Sequence, residues 1–273
     1  MRLIARLSGL LLIAFALNTY AAAPSVEQVQ KFIDVSGLGS SIESMPDQFR
    51  QQMQLQQLLE EDKLSMEVVQ SAIEQALNDV NGYAIAESYL LQSSDAAKIE
   101  TTIAFLESDT GRRIVAAEKA AQSPNYQAEL QAYATQLAQN QPSPERQQLV
   151  NEFMAVTNAV EVVVNTIKVM MYAAVDFFEA YEPEKEAQAK SAIDAEWQKI
   201  APIMKEQMRQ YVLLSSYYTY RELSDSEFKA YNEFLASDAG KAYFEVSMGI
   251  YEKYVSDIMR GMAANIIAQS EQS

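Results

Sequence analysis

The chain predicts an all-α fold, built as two tandem helical domains from an internal repeat and packed as helical bundles. Three observations lead there. Apolar residues recur at helical steps: Met66, Val69, Ile73, Ala76 and Val80 line one face, as do Met204, Met208, Tyr211, Ser215 and Tyr218, and Val255, Ile258, Met262 and Ile266. Only eight Gly and seven Pro in 273 residues leave little turn chemistry for a sheet. Finally, FLESDTGR (Phe105 to Arg112) returns as FLASDAGK (Phe234 to Lys241), 129 residues later (234 − 105).

The first element is a leader over residues 1–21. Arg2 and Arg6 precede the apolar run Leu7 to Leu17, and NTYAAA follows it, the pattern of a secretory signal peptide with cleavage expected near Ala21. The run falls short of the roughly 20 residues that a bilayer-spanning helix needs. No Cys follows it, so a lipid-anchored form is excluded, and a periplasmic or secreted location is expected. Loss of the leader moves the formal charge from −16 to −18 (−16 − 2), a surface that repels nucleic acid and anionic lipid. The mature chain is expected to hold no integral membrane span.

The first helical repeat is expected over 22–139, a linker at 140–144, and the second repeat over 145–273. The linker reads NQPSP, with Pro142 and Pro144 flanking Ser143 between two helical runs. Ahead of the corner motif the halves align at a shorter offset: Val29 over Val150, Phe32 over Phe153 and Val35 over Val156. Within the second repeat, Val160 to Glu179 is apolar around most of its circumference. Its polar residues Glu161, Asn165, Lys168, Asp176 and Glu179 keep to one narrow stripe. Such a helix is either surrounded in a bundle or presents apolar surface to a second chain or an apolar ligand.

The repeated octapeptide reads as a helix–turn–helix corner. Phe105-Leu106 and Phe234-Leu235 end a helix on its buried face. Ser108 or Asp109, and Ser237 or Asp238, then cap the next by accepting its free N–H groups. Gly111 and Gly240 fall in the first turn of the new helix, where the missing side chain permits close crossing at a propensity cost of about 1 kcal/mol. Arg112 and Lys241 complete the motif, and with the helix start they would suit an anion, although the motif's own Asp already supplies negative charge there. Upstream, Ser224 and Glu227 have capping-box spacing; the first half has Asp95 and Lys98 instead.

A cap, an aromatic-rich helix and FLxSDxG followed by Lys or Arg resembles the secreted bacterial family catalogued as domain of unknown function 2059. The C-terminal copy, about Lys205 to Ala268, is the clearer match, and Arg112 for Lys departs from the pattern in the first copy. The resemblance implies a helical periplasmic protein. That family has no assigned activity, so it transfers no catalytic residue.

The absence of His removes the common neutral-pH base, the Ser-His triads and the commonest metal ligand. With no Cys there is no disulfide. No phosphate loop, calcium loop or nucleophile elbow occurs, and no cofactor, metal or catalytic residue is nominated. Ten of the fifteen Tyr lie at or after Tyr172. Val164, Met171, Val175, Phe178, Tyr217 and Tyr218 form the candidate interaction surface, since Tyr joins an apolar ring to a polar tip and Met adapts to varied partners. The expected function is a non-catalytic interaction module of the cell envelope, binding an envelope protein or a second copy of itself. A carrier of a small apolar or lipid-like ligand is the second reading, and a carboxylate-dependent hydrolase the third.

Overall fold

A computed structural model describes residues 22–57, 66–176 and 183–270. The expected leader lies outside the described residues. Those described form helices α1 (Val26–Val35), α2 (Leu38–Gln57), α3 (Met66–Asp79), α4 (Gly82–Ser93), α5 (Ala96–Leu106), α6 (Asp109–Ala120) and α7 (Tyr126–Gln139). Beyond the link follow α8 (Pro144–Val156), α9 (Ala159–Asp176), α10 (Pro183–Thr219), α11 (Asp225–Ala236) and α12 (Asp238–Ser270), with no strand among the described residues. The all-α prediction is met.

Short polar side chains start most of these helices. Ser25 with Gln28, and Ser224 with Glu227, form complete capping boxes, in which each cap accepts an orphan N–H and is answered by the third helical residue. Asp95 caps α5 alone, accepting from the N–H groups of Ala97 and Lys98. Ser143 caps α8 directly ahead of Pro144, whose missing N–H costs nothing in a first turn.

Two left-handed residues turn the chain at matched places. Gly37 (φ +75°) joins α1 to α2, and Asn158 (φ +51°) joins α8 to α9. Gly and Asn tolerate this conformation best, and the residues before them, Ser36 and Thr157, both return a hydroxyl to a carbonyl of the preceding turn.

The packing crosses the link. Three buried clusters make the core, and each draws on residues from both sides of 140–144. One gathers Leu149, Val150, Tyr220, Phe228, Tyr231 and Leu235 around Ile114 of α6. A second gathers Val29, Phe32, Ile33, Leu90, Ile99 and Ile103 around Val246 and Ile250 of α12. The third joins Ile73, Ala76 and Leu77 to Tyr254 and Ile258. Thus α6 packs on α5 and reaches α10 and α11, α7 packs on α10, and α12 packs on α3, α4 and α5 as well as on α9 and α11. The helix after each corner thus reaches across 140–144 into the packing of the other side, an exchange that runs in both directions.

No single helix among the described residues is long and apolar enough to cross a membrane. Helices α8 and α9 meet that criterion only as a pair, and they join at a 43° bend. Helix α9 packs against α10 and α12.

Candidate functional site

The two corners are built alike. Ser108 Oγ donates to the Phe105 carbonyl at 2.6 Å and accepts from Gly111 N at 3.0 Å. Ser237 Oγ donates to the Phe234 carbonyl at 2.6 Å and accepts from Gly240 N at 3.1 Å. Serine is therefore the cap in both, and Asp109 and Asp238 are exposed first-turn residues beside the helix N-terminus. A Cβ on Gly111 would stand 2.6 Å from Leu106 Cα and overlap the Phe105 carbonyl; one on Gly240 would stand 2.6 Å from Leu235 Cα and overlap the Phe234 carbonyl. Leu106 and Leu235 are buried, and the rings of Phe105 and Phe234 stack on each other at 4.0 Å and 4°. Matched residues in mutual contact place this stack where the halves meet. Arg112 is spent locally on Asp109 and the Glu107 carbonyl, and Lys241 is exposed. The octapeptide is a folding corner.

The candidate interaction surface is only partly a surface. Val164 (0% exposed), Tyr217 (8%) and Tyr218 (7%) are buried within the chain, so they are withdrawn from it. Tyr218 packs edge-on against Tyr126 and Tyr133, lies under Arg221 at 3.9 Å, and donates to Glu129 at 2.5 Å. The two tyrosines went to the seam between α7 and α10, and Val164 is buried on α9, since helix packing removes more surface from water than a free face could. Met171 and Val175 remain partly accessible, and Phe178 lies outside the described residues. The polar stripe of α9 faces α10: Lys168 pairs with Asp194 at 2.7 Å, and Tyr172 donates to the same carboxylate at 2.5 Å. Both hold the Asp194 carboxyl below its ordinary pKa, Lys168 most strongly.

Among the described residues, sequence reasoning missed a half-buried carboxylate that two buried phenols share. Glu118 of α6 reaches across the halves, and its Oε1 accepts from Tyr220 at 2.8 Å and from Tyr231 at 2.7 Å. Desolvation pushes the Glu118 carboxyl above its usual value against the opposing pull of the two phenols. Burial, followed by the nearby Glu118 charge, pushes the Tyr220, Tyr231 and Tyr243 hydroxyls upward. Beside Glu118, a cavity of about 120 Å³ reaches Ser36, Ser41, Gln122, Tyr243 and Ser247. At the corner offset, Glu118 matches Ser247, Tyr220 matches Leu91, Tyr231 matches Thr102, and Tyr243 matches Ile114. All four members change together between the halves, and that joint change was the signal available in the sequence.

The cluster ties α6 to α10 and α11 more readily than it does chemistry, because one carboxylate oxygen already serves both phenols. Arg113 reinforces the tie, pairing with Glu227 at 2.5 Å and donating to the Glu222 carbonyl at 2.7 Å. Among the described residues, no group of three or more Asp or Glu side chains is placed to hold a metal ion. No family model matches the chain, and neither a curated protein nor a solved structure does so.

Proposed function

We propose that this protein is a non-catalytic interaction module of the cell envelope, and that it meets its partner on the α9–α10 hairpin. One observation carries the reading. Ile203 of α10 is 62% exposed, the most exposed large apolar side chain among the described residues, and it follows Pro202, which is also exposed. Tyr211 is exposed farther along the same helix, and Met171 and Val175 add partly accessible apolar surface on α9. The hairpin is braced by the Lys205–Glu161 pair at 2.6 Å, so a partner would meet an ordered face. The leader-like N-terminus supports the envelope. A tandem origin, with two copies of one helical unit, is supported by the matched corners, the matched left-handed turns and the reciprocal exchange of helices.

A photo-crosslinking residue at 203, in protein expressed in its own host, tests the proposal against the same residue at exposed position Lys229 of α11. One discrete adduct specific to position 203 is the expected result. Identical adduct patterns at both positions, or none at 203, would remove the hairpin as the binding face.

A further inference from the structure

The exchange of helices gives each core the same plan, but the two cores are not equally full. In the second half, the rings of Phe153, Tyr220, Phe228 and Tyr231 pack on one another, with Phe153 5.7 Å from Phe228 and 6.1 Å from Tyr231. The matched residues of the first half are Phe32, Leu91, Ile99 and Thr102. One ring of the four is kept. Tyr243 stands where the other side has Ile114, and its ring returns part of the lost volume by packing edge-on to Phe32 at 5.9 Å. A cavity of about 140 Å³ remains beside Phe32, Ile99, Thr102 and Val246.

Its size and its polar atoms specify an occupant. A cavity of about 150 Å³ with apolar walls accommodates one benzene ring and is too small for an acyl chain. This one is not wholly apolar. Thr102, only 1% exposed, lines it and brings a hydroxyl to its wall. Ser94 also lines it, and its buried Oγ has no hydrogen-bond partner among the described residues. A buried hydroxyl left unbonded costs about 1–3 kcal/mol, so a ligand hydroxyl reaching Ser94 Oγ would gain what the protein alone leaves unmet, with Thr102 as a second polar contact. At the mouth, Asp95 and Glu245 outnumber Lys98, which disfavours an anionic ligand.

We propose that this cavity binds a small neutral phenol, the ring against Phe32, Ile99 and Val246 and the hydroxyl bonded to Thr102 and Ser94. The ligand takes the place that Tyr231 fills with its own phenol in the other core. This site does not depend on the partner-binding reading of the α9–α10 hairpin.

Calorimetric titration of the full chain with phenol, toluene and benzoate tests the assignment. Phenol is expected to bind saturably, about fivefold tighter than toluene, as one net hydrogen bond allows, with benzoate weaker than both. Thr102→Tyr puts the matched ring into the cavity and should abolish phenol binding. Thr102→Val keeps the volume, removes the hydroxyl and should erase the preference for phenol over toluene; it decides the matter if the Tyr variant does not fold. The assignment is overturned by absence of saturable phenol binding, by unchanged binding in Thr102→Tyr, or by an undiminished preference in Thr102→Val.

Discussion

The corner at Phe105–Arg112 and the corner at Phe234–Lys241 agree wherever the backbone turns and differ where the following helix looks inward. Phe, Leu, Ser, Asp and Gly stand at the same places in both, and the serine hydrogen bonds agree to within 0.1 Å. Three residues after the Gly, α6 carries Ile114 and α12 carries Tyr243; one turn later come Glu118 and Ser247. The shared residues serve a geometric need that any copy of this corner must meet. The differing ones serve needs that each core has separately: a carboxylate–phenol cluster on one side and a ring-sized cavity on the other.

The largest expected effect falls on what is shared. In Gly111→Val and Gly240→Val the new Cβ collides with backbone of the preceding helix, which cannot rotate away as a side chain can. Each is expected to cost upwards of about 3 kcal/mol, beyond ordinary overpacking, measured by urea denaturation. Similar losses at both sites would confirm that the corners are equivalent. A loss at one and tolerance at the other would break the equivalence where the local geometry looks closest.

That equivalence was legible in the sequence because it is local. Caps, a first-turn Gly and an apolar pair lie within eight residues, and their chemistry is readable without knowing what packs around them. The same holds for Ser224 with Glu227, whose capping box formed as its spacing required. The placement of α6 and α12 was not legible, because nothing at a corner says which core the next helix will join. Val164, Tyr217 and Tyr218 were assigned to a surface for that reason: apolar excess on a helix identifies a buried face and leaves its neighbour unnamed. Glu118 was hidden among 37 acidic residues, and only its contacts with Tyr220 and Tyr231 set it apart.

An intermediate effect falls on what differs. Glu118→Ala leaves two buried phenol donors without an acceptor and is expected to cost about 2–4 kcal/mol, whereas Ser247→Ala at the matched place should stay within about 0.5 kcal/mol. Glu118→Gln keeps an acceptor oxygen and removes the charge. The Glu118 carboxyl is raised on folding, so its stabilising contribution is complete below the unfolded value of about 4.3 and is lost as pH rises through the folded value. Denaturation curves from pH 4 to 8 should therefore show the native protein losing ground to Glu118→Gln with rising pH, by less than the alanine loss. Parallel curves would mean that burial does not perturb this carboxyl.

The smallest expected effect is the most direct test of the exchange. The link between α7 and α8 runs through Asn140, Gln141, Pro142 and Ser143, with Asn140 and Gln141 exposed, so a protease site can replace it with little disturbance to the core. Were the halves two independently packed bundles, cutting there would release two fragments on gel filtration. In the structure, cutting leaves Ile114 inside the second core and Val246, Ile250, Tyr254 and Ile258 against first-half helices. Each buried aliphatic side chain contributes about 1.5–3 kcal/mol, and several must be exposed at once for the fragments to part. The nicked protein should therefore elute at the position of the intact chain and separate only in denaturant. Dissociation in native buffer would show that the interlocked packing is weaker than its buried residues imply, and would return the corners to two separate domains.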